Sequence, residues 1–507
     1  MNKKTTVLAA TLVATLALSG NAFAASELRI GMRDDPGSLD PATNATFVGR
    51  VSLQSVCDKL VDIDQQGNLV PMLATSWEWS ADGKEVTLKL RDGVKFQDGT
   101  AFDADAVKFN LDRYLTMEGS RRKPEIAVIK DVAVVDPSTV KLTLSSPSVA
   151  LLAQFTDRAG MMVSPTAYKA TTPDAFAKAP VCAGPYTVAQ YRPQQDLTLA
   201  KFPGYWNAAA FSFDKVVYSA IPDGNVRLLN LKSGDLDLAE NIAPTDAASL
   251  AGDTSLKVAV GDQPAYEMLQ FNLNGPGANP DVAKYPEVRQ AFSLAIDRDA
   301  INQVVFGGGY TTGNQAFPPS SQWYDKNFPV QPRDVEAAKA KLASVGLTNV
   351  SIDLMISTDP QREAVAEMEQ SMLAEAGITL NILPTEFVSM RQKAANGDFQ
   401  AYVVGSSGHT DPDLNLASDV QCGMANNVGK YCNDAVDKLL AEGRAESDDT
   451  KRKAIYDKVN DILMTDMPIV FLYNPKAPYA MKAGVDGFKP YPDGIIRLDG
   501  VTLADAK

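Results

Sequence analysis

Apolar and polar residues alternate in the stretch LKLRDGVKFQDGTAFDADAVKFNLDR, residues 88–113. Period two predicts a strand whose apolar face holds Val86, Leu88 and Leu90. Asp-Gly pairs at 92–93 and 98–99 predict turns, because glycine accepts positive φ and aspartate can bond its own backbone. Asp103 is placed to cap a helix whose apolar positions are Val107, Leu111 and Tyr114. The stretch predicts a strand-turn-helix scaffold without chemistry of its own.

The pattern changes along the chain. Residues 26 to about 260 are rich in extended segments and turns, whereas helices and strands alternate from about residue 285. The run PEVRQAFSLAIDRDAINQVVF predicts a helix with one apolar face formed by Val288, Phe292, Ala295 and Ile296. Three later helices each end at a glycine and each precede a strand, which predicts an α/β layout.

The first residues have the pattern of a secretory signal peptide. Lys3 and Lys4 precede the apolar run TVLAATLVATLALSG, and Ala22-Phe23-Ala24 supplies small residues for cleavage after Ala24. That junction has no cysteine to accept lipid, and no later run reaches the roughly 18 apolar residues of a membrane span. We expect residues 1–24 to be removed and the mature protein to be soluble in the periplasm of a Gram-negative cell.

Charge and cysteine content narrow the function classes. The formal net charge of −14 argues against nucleic-acid binding. The length of 507 residues predicts two or more domains. Four cysteines in an exported chain, without a CxxC pair and with a single histidine, predict disulfides rather than a metal site. We favour Cys422–Cys432 with Cys57–Cys182, although four cysteines allow three connectivities.

The most enzyme-like stretch is VVGSSGHTDPD, which holds Ser406, Ser407, His409 and Asp411. It lacks the G-x-S-x-G pattern, and neighbouring side chains on one loop rarely converge into a catalytic triad. We therefore expect no enzymatic activity and no cofactor. An exported hydrolase and a periplasmic chaperone remain the alternative functions.

Longer motifs resemble a known family. The segment from Leu73, LATSWEWSADGKEVTLKLRDGVKFQDGTAFDADAVKFNLDR, resembles the family 5 extracellular solute-binding proteins of ABC importers. These are receptors of the oligopeptide, dipeptide and nickel-binding type. GSLDPA at 37–42, CAGPYTVAQYRPQQDLTLAKFPGYW from Cys182 and DPD at 411–413 also resemble the family and occur in its order.

The resemblance implies an α/β fold of the large type II periplasmic binding protein kind, with two lobes and a hinged ligand cleft. A core of the first lobe would comprise residues 25–47, 167–262 and 474–507. An inserted subdomain would span 48–166, and the second lobe 263–473. A monomer would bind a small-molecule solute and deliver it to an inner-membrane ABC permease complex.

The resemblance also suggests ligand-binding residues. Peptide receptors of the family hold the ligand's amino group with an aspartate, and the matching position here is Gly408. Asp34, Asp35 or Asp411 could replace it. His409 is either a loop residue or a ligand contact, and Tyr473 is either part of an aromatic cleft wall or a core residue.

Arginines would supply the complementary charge. In nickel-type relatives, arginines of the inserted subdomain bind carboxylates of a chelator, and the corresponding residues are Arg121, Arg122 and Arg158. Arginine forms bidentate, charge-assisted pairs with carboxylates. We therefore expect a solute with at least one carboxylate, such as an amino-acid conjugate, an opine-like compound, a short peptide or a metal chelate.

Overall fold

The structure is a computed structural model, and it describes residues 26–504 except 407 and 425. The predicted signal peptide lies outside the described residues. Numbered along the chain, the strands are β1 Glu27–Met32, β2 Val61–Ile63, β3 Leu69–Pro71, β4 Ala74–Trp79, β5 Glu85–Leu90, β6 Ile129–Asp136, β7 Thr139–Leu144, β8 Tyr186–Arg192, β9 Asp196–Lys201, β10 Lys215–Ala220, β11 Leu238–Ala239, β12 Leu256–Asp262, β13 Tyr266–Phe271, β14 Thr311–Thr312, β15 Val350–Ser357, β16 Ile378–Thr385, β17 Ala401–Ser406, β18 Ile469–Asn474, β19 Lys476–Lys482, β20 Val485–Asp486 and β21 Thr502–Leu503.

The helices connect and cover these strands. They are α1 Phe47–Gln54, α2 Ala104–Thr116, α3 Lys123–Ile126, α4 Ala150–Gln154, α5 Pro165–Lys169, α6 Pro173–Phe176, α7 Gly224–Ser233, α8 Pro244–Ser249, α9 Pro280–Lys284, α10 Pro286–Ala295, α11 Arg298–Phe306, α12 Val335–Ser344, α13 Pro360–Ala374, α14 Phe387–Asn396, α15 Pro412–Val420, α16 Asp434–Ala445 and α17 Asp449–Asp466. Within the described ranges, none of them is long and apolar enough to cross a bilayer.

Two large sheets organise the molecule. A seven-stranded sheet has the order β12-β19-β11-β1-β10-β9-β8, and a six-stranded sheet has the order β14-β18-β13-β17-β15-β16. Strand β1 pairs in parallel with β10 and β11, and β15 pairs in parallel with β16 and β17. Every residue of β13 and β18 is buried, because helices cover both faces of the second sheet.

The chain passes between the two large sheets twice, and both connections are short. It leaves β12 at Asp262 and enters β13 at Tyr266, then leaves β18 at Asn474 and enters β19 at Lys476. Pro264 lies in the first connection, and Pro475 in the second. Because the chain crosses only at these two short connections, each large sheet has its own hydrophobic core.

A third, four-stranded sheet has the order β4-β5-β7-β6 and forms a separate core with α2. The strand-turn-helix prediction is confirmed here: β5 is followed by Gly93 at φ +73° and Gly99 at φ +84°. The Asp103 side chain then accepts from the Ala106 amide at 3.0 Å and caps α2. On that helix, the predicted apolar residues Val107, Leu111 and Tyr114 are completely buried.

The predicted helix after residue 285 is interrupted. Helix α10 ends at Ala295, Ile296 is extended at φ −95° and ψ 137°, and Asp297 caps α11 by accepting from the Ala300 amide at 2.9 Å. Ile296 is nevertheless buried with the α10 face. The later pattern is as predicted, because Gly346, Gly377 and Gly397 follow α12, α13 and α14 with positive φ, and a strand follows each.

All four cysteines are paired in the structure. Cys57 bonds to Cys182, and the two residues are completely buried after α1 and before β8. Cys422 bonds to Cys432 within the loop between α15 and α16. This is the pairing favoured from the sequence. The first bond joins distant segments beneath the seven-stranded sheet, whereas the second closes a loop of the six-stranded part.

Candidate functional site

Residues 408–411 precede α15, and side chains bond to their backbone and to the first turn of the helix. The Asp411 carboxylate caps α15 by accepting from the Asp413 amide at 3.0 Å and the Leu414 amide at 3.4 Å. Asn415 accepts the His409 amide at 2.8 Å through its side-chain oxygen. The cap at Asp411 and this bond to the His409 amide hold the backbone on both sides of residue 410.

Three arginines converge beside this loop. Arg158 donates from Nη1 to the Asn44 side-chain oxygen at 2.9 Å and to the Asn44 carbonyl at 3.2 Å. Arg122 donates from Nη2 to the same carbonyl at 3.3 Å. Arg50, on α1, contacts the Asp157 carboxylate through Nε at 2.9 Å. We call Arg50, Arg122, Arg158, Glu125 and Asp157 the arginine cluster.

Two carboxylates belong to this cluster. Asp157 also contacts Arg158 Nε at 3.3 Å, and despite burial the Arg50 and Arg158 guanidiniums hold the pKa of Asp157 far below its usual range. Glu125 contacts Arg122 Nη1 at 2.9 Å, but burial outweighs this pairing and raises the pKa of Glu125 to about 7. The cluster therefore holds three guanidiniums against one fixed carboxylate charge and one that titrates near neutrality.

The guanidiniums are incompletely satisfied. Arg122 Nε is buried and has no hydrogen-bond partner among the described residues, whereas the Nε atoms of Arg50 and Arg158 contact Asp157 at 2.9 and 3.3 Å without hydrogen-bond geometry. Burial lowers the pKa of Arg158 to about 10, opposed by Asp157. A buried donor without a partner costs free energy, on the order of 1–3 kcal/mol. The cluster can therefore gain from an acceptor that reaches it.

His409 lies opposite the cluster. Burial, followed by the nearby Arg50 charge, lowers the pKa of His409 to about 4, so its imidazole is neutral at physiological pH. His409 and Glu125 both line a cavity of about 620 Å³, here called the His409 cavity. Other polar side chains of its wall are Ser148, Gln154, Gln421 and Arg444.

Acids on the His409 side of this cavity are paired differently. The Asp411 carboxylate receives two bonds from Arg452, at 2.6 and 3.0 Å. The Asp413 carboxylate receives Arg444 Nε at 2.7 Å and the Tyr456 hydroxyl at 3.2 Å. We call Asp411–Arg452 and Asp413–Arg444 the paired acids. Each carboxylate here has its own guanidinium.

The part with the four-stranded sheet and the part with the six-stranded sheet contact each other beside the cavity. The Val149 amide, just before α4, donates to the Arg444 carbonyl at 2.8 Å. Away from this cavity, the Ser320 hydroxyl donates to the Asp262 carboxylate at 2.8 Å. A cavity between separately folded parts is the usual setting for a small-molecule site. Among the described residues, no group of three metal-ligating side chains accompanies it.

Comparison with known protein families assigns the chain to one of them. A model of the bacterial extracellular solute-binding proteins, family 5 Middle, matches residues 68–426. The chain belongs to this family.

Relatives of this family 5 protein bind several kinds of solute. The chain is 29% identical to a probable di/tripeptide-binding protein of Pseudomonas aeruginosa strain UCBPP-PA14, covering 93% of this chain and 94% of the relative. It is 28% identical to a glutathione-binding protein of Escherichia coli O1:K1, covering 95% of each. A solved periplasmic binding protein of A. tumefaciens R10, in complex with agropinic acid, is 30% identical with a TM-score of 0.77, covering 95% of this chain and 99% of that one.

Structural similarity confirms the predicted fold class of this family 5 protein. A Listeria monocytogenes ABC transporter substrate-binding protein superposes with a TM-score of 0.83 over 94% of this chain at 23% identity. The chain has the α/β fold of type II periplasmic binding proteins.

The structure brings together some of the predicted ligand residues of this family 5 protein. Arg122 and Arg158 meet at Asn44, and His409 lies near them. Arg121 is exposed beside them, and its backbone amide donates to the Ala42 carbonyl at 2.8 Å. The ligand-binding roles of these residues stay predictions.

The aspartates proposed to hold an amine have other contacts. Asp35 is buried and accepts from the Tyr191 hydroxyl at 2.6 Å and the amides of Gln194 and Gly37 at 2.6 and 2.7 Å. Asp34 is exposed and accepts the Asp35 amide at 2.8 Å. Asp411 is paired as described above. The structure therefore offers neither Asp35 nor Asp411 as a free carboxylate, because internal donors occupy both.

Tyr473 lies in β18, packed in the core of the six-stranded part. Its ring stacks on Tyr310 at 5.6 Å between centroids and lies 4.8 Å from Phe306. Only 6% of the residue is exposed. These contacts favour the core role that the sequence left open.

Sequence reasoning missed Arg50, Glu125 and Asn44. One signal was available: Arg50 lies in FVGRVSLQ, where the structure buries seven of the eight residues of α1. An arginine inside such an apolar helix needs an internal partner or a ligand. Glu125 and Asn44 carry no comparable local signal, because their roles depend on which distant residues meet them.

Proposed function

We propose that the protein is a periplasmic receptor of an ABC importer, which captures a small carboxylate-bearing solute and delivers it to an inner-membrane permease. The observation on which this rests is the arginine cluster, in which three buried guanidiniums share two carboxylates and Arg122 Nε has no partner among the described residues. A solute carboxylate would supply acceptors and balance the surplus positive charge. No covalent step is needed for this role.

The surroundings support an anionic ligand. The protein as a whole carries a net charge of −14, yet this site concentrates guanidiniums next to a neutral histidine. Concentrated positive charge in a cleft draws anions toward it. Because the arginines are held by Asn44 and Asp157 before a ligand arrives, little conformational entropy is lost on binding.

The relatives support a range of small solutes. Peptide and glutathione receptors and a receptor bound to agropinic acid all resemble the chain over most of its length. Their named ligands are peptides, a peptide derivative or an acid. For this protein we propose the same general class, an amino-acid conjugate, an opine-like compound or a peptide-like acid.

We further propose that the two parts close on the solute by hinge motion at the two short connections. The first lobe would hold residues 25–47, 167–262 and 474–507, with 48–166 as an inserted subdomain, and the second lobe would hold 263–473. The brevity of the connections at Pro264 and Pro475 supports this division, because few residues would have to change conformation.

Native mass spectrometry of the purified mature protein tests the proposal. We expect a retained or best-binding solute with at least one carboxylate, bound without turnover. Arg122→Ala and Arg158→Ala should each weaken its binding about tenfold or more, consistent with loss of a charge-assisted pair. Lys123→Ala, an exposed neighbour, is the matched control. A neutral or cationic solute, or unchanged binding by both arginine variants, would show the proposal to be wrong.

A further inference from the structure

The loop beside the His409 cavity has no room for a side chain at residue 408. Gly408 has a φ of +74°, and a Cβ built on it would lie 2.3 Å from the carbonyl carbon of Pro264 and 2.5 Å from the Ala265 nitrogen. These are backbone atoms of the first connection between the sheets, and they cannot rotate away as a side chain could. Both the φ angle and the close approach therefore require glycine.

No free carboxylate faces the cavity in the part of the chain that the structure describes. Glu125 contacts Arg122, and Asp413 contacts Arg444. Behind them, Asp157 lies between two guanidiniums and Asp411 is bound twice by Arg452. A protonated amine that entered this cavity would have to compete with an arginine for its partner.

The balance of charge opposes such an amine. The arginine cluster, which reaches the cavity wall through Glu125, has one more guanidinium than carboxylates, and His409 is neutral. A cation placed here would be desolvated without a counter-charge, which is strongly unfavourable. The remaining uncharged polar wall offers donors and acceptors from Ser148, Gln154, Ser418, Gln421 and Asn426. Those groups suit amides and hydroxyls.

We propose that the site selects carboxylate-bearing solutes whose nitrogen is uncharged, as in an N-acyl or lactam group, and discriminates against solutes with a free ammonium group. The carboxylate would bind the arginine cluster, and the neutral polar part would occupy the His409 cavity. This inference rests on the proposed function, because it takes the cluster as the carboxylate site. It adds a rule about the other end of the solute.

Four forms of one dipeptide separate the two proposals. The probes are L-alanyl-L-glutamine, its N-acetyl derivative, its C-terminal amide and the doubly blocked compound, each at about 10 mM against the mature protein. Thermal stabilisation at that concentration detects even weak binding. We expect the N-acetylated acid to stabilise most, with a dissociation constant at least tenfold below that of the free-amine acid.

Each outcome has one meaning. Equal or greater stabilisation by the free-amine acid overturns the selectivity, and so does the absence of stabilisation by the N-acetylated acid. If blocking the carboxylate leaves stabilisation unchanged while acetylation still increases it, the carboxylate assignment of the proposed function fails and the preference for an uncharged nitrogen stands.

An engineered counter-charge supplies an independent test. His409→Asp would add a carboxylate at the cavity wall, where it would offset the surplus guanidinium charge of the nearby arginine cluster, and His409→Asn is the uncharged control. We expect His409→Asp to bind the free-amine acid at least tenfold more tightly than the unmodified protein does, and His409→Asn to show no such gain. Thermal unfolding first verifies that both variants melt at the same temperature as the unmodified protein. A folded His409→Asp variant without that gain would overturn the proposal.

Discussion

The arginine cluster reaches the wall of the His409 cavity through Glu125, and the paired acids reach it through Asp413 and Arg444, yet the two groups use the same chemistry differently. In the paired acids each carboxylate has its own guanidinium, and Asp411 is held by two bonds from Arg452. In the arginine cluster three guanidiniums share two carboxylates, and Arg122 Nε is buried without a partner among the described residues. The first arrangement is complete by itself, whereas the second can gain from a further acceptor.

This difference separates stability from binding. In a saturated buried ion pair, the attraction between the two charges and their hydrogen bonds offset the desolvation of both groups. Removal of one partner leaves an uncompensated charge. An unsaturated cluster has residual donors, so loss of one arginine affects a ligand more than it affects the fold. Saturation of the hydrogen-bonding groups, and not the presence of arginine, distinguishes a structural site from a ligand site.

The largest expected effect is on the saturated side. Arg452→Ala should lower the free energy of unfolding by about 3–5 kcal/mol, because the buried Asp411 carboxylate, which also caps α15, loses its partner. Denaturant titration of the ligand-free protein measures this change. Lys451→Ala, on an exposed neighbouring residue of α17, is the control and should change little. A loss below about 1 kcal/mol, as for an exposed ion pair, would contradict the comparison.

Local structure could be predicted from the sequence because its causes are local. Alternation, the cap at Asp103 and the glycines after α12, α13 and α14 act within a few residues. The break at Asp297 was missed because the apolar period continues through it, and Ile296 remains buried after α10 has ended. At Asp297 the capping bond of α11 determines where the first helix has to end, although the apolar periodicity continues.

The site was only partly predictable, since its causes are distant along the chain. Arg122 and Arg158 were found through resemblance, but Arg50 joins them through Asp157, which lies far from it in sequence. Gly408 could be matched by position. Its lack of space depends on Pro264, in another segment, and no pattern around Gly408 shows that. Contacts between segments that are distant in sequence therefore determine which charged groups lack a full set of partners.

The unsaturated side should show the opposite behaviour. Arg50→Ala should weaken binding of a carboxylate solute by about tenfold or more, with a change of only about 1 kcal/mol in unfolding free energy, because Arg158 still contacts Asp157. Calorimetric binding and denaturant titration on the same preparation measure the two quantities. If Arg50→Ala destabilised the fold as much as Arg452→Ala while affinity stayed constant, the two sites would not differ as described.

A smaller, pH-dependent effect should come from Glu125, whose pKa is raised from 4.5 to about 7. The folded protein retains a proton there that the unfolded chain releases, so this contribution to stability is present below about pH 4.5 and is lost as pH rises toward 7. Ionisation of Glu125 also offsets one guanidinium charge. Carboxylate affinity should therefore fall several-fold from about pH 6 to pH 8.5.

Glu125→Gln isolates that effect. His409 is already neutral and Asp157 already ionised across this range, because the pKa of His409 is lowered to about 4 and that of Asp157 lies far below its usual value. Affinity measured by calorimetry should then be nearly independent of pH in Glu125→Gln. Persistence of the same slope in the variant would assign the dependence to the solute or to another group.

The smallest effect should come from Arg121, the neighbour of Arg122. Arg122 is 3% exposed and bonds to Asn44 and Glu125, whereas the Arg121 side chain is exposed to solvent. Surface charges contribute little to stability and act on ligands mainly through screened, long-range attraction. Arg121→Ala should therefore change carboxylate affinity less than about threefold at physiological salt, with the residual effect in the association rate. Stopped-flow binding at low and high salt measures it, and a tenfold loss that persists at high salt would place Arg121 in direct contact with the solute.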